Sequence, residues 1–180
     1  DKTQKKLTNV TKDNFNFDKD IELRDVSFRY SDHQKLVLDK INLKIKKNTC
    51  IGIIGDNAAG KSTLINLICG LIKPQEGKIL VNEKSIFNNL TDWQKLIGFI
   101  PQSIYLLDDS VQNNIAIGVD EKNIDKDKIK KLLLLAGLSE TLNSEDLVGE
   151  GGKNISGGQK QKIGIARALY HDPKILIYDE

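Results

Sequence analysis

The sequence predicts an α/β fold, and three features carry the prediction. Strand-like and helix-like stretches alternate along the chain. An unbroken apolar run, Cys50-Ile51-Gly52-Ile53-Ile54, leads into a glycine-containing loop and then a helical pattern, and a second run, Ile175-Leu176-Ile177-Tyr178, comes at the far end. Unbroken runs of that length suit strands covered on both faces, as in a parallel sheet.

Taken in order, residues 1–20 are polar and rich in Lys, Asp and Asn, and they read as a linker or extended lead-in that includes Phe15 and Phe17. Residues 21–30 and 37–45 roughly alternate apolar and polar side chains around a polar turn at 31–34, which predicts an antiparallel hairpin. Beyond the apolar run at 50–54, residues 61–69 read as a helix, 74–77 as a turn, 78–82 as a strand, and 97–100 as a short strand closed by Pro101. Residues 125–136 carry Ile129, Leu132, Leu133 and Ala136 on one helical face, with Gly137 placed to end the helix and the lysines expected to face water. A second helix follows Ser156 and runs to Tyr170, and after Pro173 comes the last strand, 174–178. Cys50 and Cys69 sit in apolar surroundings without a CxxC pattern or a histidine partner, so two buried thiols are expected.

At 180 residues with 39% hydrophobic content, the chain can bury one substantial core, which predicts a single domain with lobes. Its 27 basic and 25 acidic residues are dispersed and leave a net charge of +2. Nucleic-acid binding calls for a concentrated basic stripe, so no nucleic-acid partner is expected. No stretch approaches the ~20 apolar residues that cross a bilayer, and the polar start does not resemble a signal peptide. These residues are therefore expected to be soluble and to lie in a reducing compartment. Methionine is absent even at position 1, which suggests a piece of a longer polypeptide.

The chemistry starts at Gly55-Asp56-Asn57-Ala58-Ala59-Gly60-Lys61-Ser62, followed by Thr63. This satisfies G-x-x-x-x-G-K-[ST] between an expected buried strand and an expected helix, the context that separates a phosphate-binding loop from an ordinary glycine-rich turn. Phosphate oxygens need several backbone N–H groups aimed at one point, and a helix N-terminus adds partial positive charge. Lys61 is expected to reach the β- and γ-phosphates of ATP, and the Ser62 hydroxyl to ligate Mg²⁺. Such a loop needs an acidic partner for the metal and a group to orient the attacking water. The final strand ends in Asp179 and Glu180, which point in different directions and can take those two roles. Alone, a strand ending in Asp-Glu is weak; beside the phosphate loop it gains weight. Ser156-Gly157-Gly158-Gln159 opens the last helix, with Ser156 as N-cap and two glycines exposing N–H groups. That is either a second anion site or a glycine-weakened helix start with no ligand.

With these residues assembled, residues 21–180 resemble the nucleotide-binding domain of an ATP-binding cassette (ABC) transporter. Gly55 to Ser62 match the family's Walker A loop, Ser156 to Gln159 its signature, and Asp179 and Glu180 its Walker B aspartate and catalytic glutamate. Tyr30 matches the aromatic residue that stacks on adenine, although by itself it reads more readily as a half-buried strand-end tyrosine. Gln102, after Pro101, matches the Q-loop glutamine, which in the family contacts Mg²⁺ and water and couples to the membrane domain. The stretch Ser110 to Ile115 and the triplet Val148-Gly149-Glu150 are similar to segments found in exporters.

The resemblance implies a P-loop NTPase core with an N-terminal antiparallel β subdomain and an inserted helical subdomain. The core would be 21–102 and 157–180, the helical part 103–156, and residues 1–20 a linker from an upstream membrane domain. It implies ATP-driven export or flipping, with Lys61, Gln102 and Glu180 in catalysis and Ser62, Gln102 and Asp179 at Mg²⁺. It also implies a head-to-tail homodimer at the cytoplasmic face of a membrane, bacterial inner membrane being expected. A non-transport ATPase of DNA repair, chromosome organisation or translation, or a regulatory module without turnover, are the alternatives. Ala58 and Gly151 stand where the family usually has Gly and Arg, and Lys160 and Lys162 where it commonly has arginines. In the family the chain continues past the glutamate to a switch histidine, whose strand lies between the Walker A and Walker B strands. Neither His33 nor His171 fits that role, and both are expected at the surface. The native chain is therefore expected to continue, and these residues alone to hydrolyse ATP poorly.

Overall fold

The computed structural model describes residues 18–33 and 35–179. The linker through Phe17, Gln34 of the hairpin turn and Glu180 lie outside the described residues. The expected hairpin is present: β1 (Ile21–Phe28) pairs antiparallel with β2 (Leu38–Ile45), Ile21 opposite Ile45 and Phe28 opposite Leu38. On its other edge β1 takes β3 (Glu76–Val81), also antiparallel, and the short β4 (Lys84–Ser85) completes a sheet in the order β2-β1-β3-β4. β1 is thus central, which explains why Leu23 and Val26 are almost wholly buried although the strand begins as a polar–apolar alternation.

A second, parallel sheet joins β5 (Ile97–Ile100) to β6 (Ile175–Tyr178), Ile97 beside Ile175 and Ile100 beside Tyr178. In sequence α1 (Lys61–Ile68) falls between β2 and β3, and α2 (Leu90–Lys95) between β4 and β5. Trp93 of α2 is fully buried and its indole N–H donates to the Ile68 carbonyl at 2.8 Å, fixing α2 on the end of α1.

The expected strand at 50–54 does not form. The stretch has no strand assignment, and Ile51, Ile53 and Ile54 are 45%, 37% and 97% exposed. An apolar run becomes a strand only where neighbours take up its N–H and C=O groups. Among the described residues no strand pairs with it. Cys50 is exposed for the same reason, against expectation, whereas Cys69 is buried as expected.

Two hydrophobic clusters result. One packs the four-stranded sheet against α1 and Trp93. The other gathers α3 (Val111–Ile115), α4 (Lys126–Leu135) and α5 (Gly157–Leu169) around Ile115, Ile129, Leu133, Leu138 and Ile163. Asp125 caps α4 by accepting from the Lys128 N–H at 2.9 Å, and its own N–H donates to the Tyr170 hydroxyl at 3.1 Å, tying α4 to the end of α5. Most α4 lysines face water, but Lys128 is only partly exposed, pairing with Asp172 and lying 5.4 Å from the centre of the Tyr170 ring. His33 and His171 are exposed.

Candidate functional site

The loop from Gly55 to Gly60 ends in a glycine that sets the geometry of α1. Gly60 is the N-cap with φ +91°, ψ +11°, and no side chain caps the helix. A β-carbon at Gly60 would lie 3.0 Å from Leu38 and 3.1 Å from Val37, so the left-handed backbone and the close approach both call for glycine. The first N–H groups of α1 are consequently left for a ligand. Ala58, with φ +62°, holds the same region of backbone space at a cost that glycine would avoid.

Lys61 folds over its own loop, its Nζ donating to the carbonyls of Gly55 at 2.9 Å and Asp56 at 2.8 Å. Its ammonium is therefore parked over the loop's own main chain. Tyr30, Val37, Ala58, Ala59, Gly60, Lys61, Ser62 and Thr63 line a cleft of about 320 Å³. Tyr30 is 60% exposed, held edge-on to Phe28 with ring centres 5.0 Å apart, and its hydroxyl is 3.0 Å from Thr63 Oγ1. The structure thus brings Tyr30 and the loop together across a long sequence separation. Val37 was not singled out in the sequence; its only signal there was its place at the head of the second alternating run.

Ser62 Oγ lies 3.3 Å from Asp179 Oδ1. Parallel pairing delivers this contact: the Asp179 N–H donates to the Ile100 carbonyl at 3.0 Å, which sends β6 toward α1 at the same sheet edge from which Pro101 and Gln102 leave β5. A hydroxyl and a carboxylate side by side are hard oxygen donors, a set that fits Mg²⁺. Gln102 is exposed and makes no hydrogen bond to Ser62 or Asp179 among the described residues. Cys69, at the other end of α1, has its thiol pushed up to about 11, chiefly by burial and secondarily by the Asp179 charge.

Among the described residues Ser156, Gly157, Gly158 and Gln159 share no hydrogen bond or ion pair with this cleft. Ser156 is the expected N-cap and forms a full capping box, accepting from the Gln159 N–H at 3.2 Å while Gln159 Oε1 accepts from the Ser156 N–H at 2.9 Å. Gly157 and Gly158 are exposed, and a β-carbon on either would meet nothing within 4 Å. The two lysines that replace arginines act on main-chain oxygens: Lys160 Nζ donates to the Gly151 carbonyl at 2.8 Å and Lys162 Nζ to the Gly137 carbonyl at 2.9 Å.

A larger cleft of about 390 Å³ lies by Asp18, Asp20, Glu22 and Glu83 on the four-stranded sheet. Each of these carboxylates lies within ion-pair distance of Arg24, Lys44 or Lys47.

The sequence profile described as ABC transporter matches residues 38–180. Over 167 residues the chain is 36% identical to the alpha-hemolysin translocation ATP-binding protein of Escherichia coli, an alignment that covers 89% of this chain and 23% of that protein. It is 32% identical over 168 residues to the ATP-dependent lipid A-core flippase of Ralstonia nicotianae, covering 89% and 28% respectively. Among solved structures, a bacterial Atm1-family ABC exporter with ATP bound matches with a TM-score of 0.82 at 29% identity, over 90% of this chain and 29% of that one. The chain spans less than a third of the length of each of these relatives.

Proposed function

Because the chain belongs to the ABC transporter family, we propose that it is the ATP-binding and hydrolysing domain of an exporter or flippase, acting at the cytoplasmic face of a bacterial membrane. The observation that carries the reading is the meeting of Ser62 and Asp179 at 3.3 Å beside the open N-terminus of α1. The two residues are 117 positions apart, so a chance turn at 55–62 would not produce it.

In this reading the N–H groups from Gly55 to Thr63 bind the phosphates and Lys61 swings from its loop carbonyls onto the β- and γ-phosphates. Tyr30 offers its exposed ring face to the adenine. Ser62, Asp179 and Gln102 would hold Mg²⁺, which supplies charge neutralisation on the phosphates when bound. Glu180 orients the attacking water. Ser156, Gly157 and Gly158 serve the nucleotide of a second copy packed head to tail, which accords with their distance in bonding terms from the cleft and their open surroundings.

We also propose the division into a core of 21–102 and 157–180, a helical part of 103–156, and a linker of 1–20 to a membrane domain. The separate hydrophobic clusters support it. The uncovered apolar run at 50–54, together with relatives several times longer, supports a functional polypeptide with a further strand against that run. The transported substrate is set by the membrane domain.

The test is Glu180→Gln in the full-length protein. ATP with Mg²⁺ should trap a stable dimer of the variant, measured by size-exclusion chromatography with light scattering. A variant that stays monomeric or opens freely under saturating ATP would defeat the hydrolytic-sandwich reading and favour a non-hydrolysing regulatory module.

A further inference from the structure

Ser62 and Thr63 are adjacent hydroxyls in the first turn of α1, and a helix sets successive side chains about 100° apart. Here they go separate ways. Ser62 is exposed and its Oγ faces Asp179, whereas Thr63, although it borders the cleft, is 6% exposed and its Oγ1 lies 3.0 Å from the Tyr30 hydroxyl. The buried Thr63 hydroxyl is thus engaged by the tyrosine, while the neighbouring serine faces the carboxylate.

Tyr30 stands two residues beyond the end of β1, where the chain turns toward β2. The backbone is secured as far as Arg29 by Gln75, whose side chain stands in for a neighbouring strand: its Oε1 accepts from the Arg29 N–H at 2.9 Å and its Nε2 donates to the Arg29 carbonyl at 2.7 Å. Past that point the ring is held by its edge-on contact with Phe28 and by Thr63 at its hydroxyl end. The hydrogen bond is the directional one of the two. With both contacts made Tyr30 is still 60% exposed, so the hold on the ring leaves surface on which a flat group can stack. Because Thr63 follows Ser62 in the same helical turn, the bond ties the ring to the uncapped helix end itself.

We propose that Thr63 is a positioning residue whose hydroxyl, acting through the Tyr30 hydroxyl, holds the ring at a fixed place relative to the N-terminus of α1. The platform for the base and the seat for the phosphates are then set as one unit before a nucleotide arrives. The Thr63 side chain serves the ring, and its N–H stays with the phosphates. This rests on the proposed nucleotide site for its ligand but not for the order it assigns to the ring.

The experiment compares the full-length protein with Tyr30→Phe, Thr63→Val, the double variant and the conservative Thr63→Ser. Equilibrium binding of ATP and of inorganic triphosphate is measured with Mg²⁺ withheld, so that nothing turns over. Tyr30→Phe and Thr63→Val should each weaken ATP about 2- to 10-fold, the range expected when one more side chain must be ordered on binding. The double variant should bind ATP no worse than the weaker single one, since both changes remove the same bond. Inorganic triphosphate has no base and docks on backbone N–H groups, so all four variants should bind it within about twofold of the unaltered protein. Thr63→Ser keeps the hydroxyl and should retain ATP affinity. If Thr63→Val does not accumulate as folded protein, Tyr30→Phe at the exposed partner carries the same comparison. Equal losses for ATP and triphosphate in Thr63→Val would put the hydroxyl on phosphate and overturn the proposal, as would losses that multiply in the double variant or ATP affinity unchanged in both single ones. An unaltered protein that binds neither ligand would strike the nucleotide reading instead. Carbon-13 relaxation of ring-labelled tyrosine then decides: without ligand, the Tyr30 ring should be more mobile in Thr63→Val than in the unaltered protein, and equal mobility overturns the proposal.

Discussion

Two helices of this molecule begin in glycine-rich sequence, and their N-termini are built in opposite ways. α1 starts at a left-handed glycine with no side-chain cap, and the Lys61 ammonium is tethered to carbonyls of the loop. α5 starts at Ser156 with a reciprocal capping box that satisfies the N–H groups of both Ser156 and Gln159. A helix without a cap leaves its first donors unsatisfied and gives up some stability, whereas a capped helix stands on its own. The contrast separates two tasks. On the proposed reading, α1 keeps its donors for a ligand within its own cleft, while α5 is finished locally and offers only the N–H groups of its exposed glycines to a second copy.

The sharpest way to break the comparison is Lys61→Ala in the full-length protein. Loss of a preorganised charge on the transferring phosphoryl group should lower turnover by about 100-fold or more. A steady-state ATPase assay checks this, and turnover within a few-fold of the unaltered protein would show that α1 is not the principal phosphate site. Next in size is Ser156→Ala, which removes the capping box and should cost about 1 kcal/mol of stability. Chemical denaturation reads that loss, and the ATP affinity of the α1 cleft should be unchanged when it is measured on monomeric protein, where no second copy brings its own Ser156 to the nucleotide. If affinity falls with stability, the two helix ends are not separate in the way their caps suggest.

Much of this was legible in the sequence because the signals are local. The phosphate-loop spacing needs only the residues from Gly55 to Ser62, Ser156 is recognisable as an N-cap from its place at the head of the last helical stretch, and the alternation in residues 21–30 and 37–45 shows which strands pair. What misled was a pattern whose meaning is not local. Cys50-Ile51-Gly52-Ile53-Ile54 has the composition of a buried parallel strand, yet burial and pairing are supplied by other segments, and none of the described strands supplies them. The central position of β1 depended on β3 arriving at its second edge, a pairing that no turn signal announces. Val37 and the bond between Tyr30 and Thr63 stayed invisible for a similar reason: one is an ordinary strand residue until Gly60 packs against it, the other joins two residues that only the fold brings together.

A smaller effect probes the backbone strain on the α1 side. Ala58 has φ +62°, where a β-carbon costs about 1 kcal/mol. Ala58→Gly should relieve that strain but add freedom to the unfolded chain. The net gain in stability should be under about 1 kcal/mol by calorimetry, with no counterpart at α5, where Ser156 already lies in the extended region.

The smallest effect concerns the other end of α1. Cys69 is held protonated, its pKa raised from 9.0 to about 11 by burial first and by the Asp179 carboxylate second. The unfolded chain gives up that proton at lower pH than the native one does, so the native state binds more protons across this window and stability must fall as pH rises. The loss should begin near pH 9, amount there to a few tenths of a kcal/mol, roughly, and grow until the native thiol itself titrates. Cys69→Ala should flatten this part of the stability profile. Asp179→Asn should lower the thiol's titration only slightly, because burial is the larger cause. Bound Mg²⁺ would offset the Asp179 charge and act in the same direction, so the Cys69 titration doubles as a reporter on the cleft. Exposed Cys50 serves as the internal control, since it should react with a maleimide at neutral pH while Cys69 does not. Equal labelling of both thiols in the folded protein would mean that the C-terminal end of α1 is open, and that the rigid seat assumed for the phosphate site is absent.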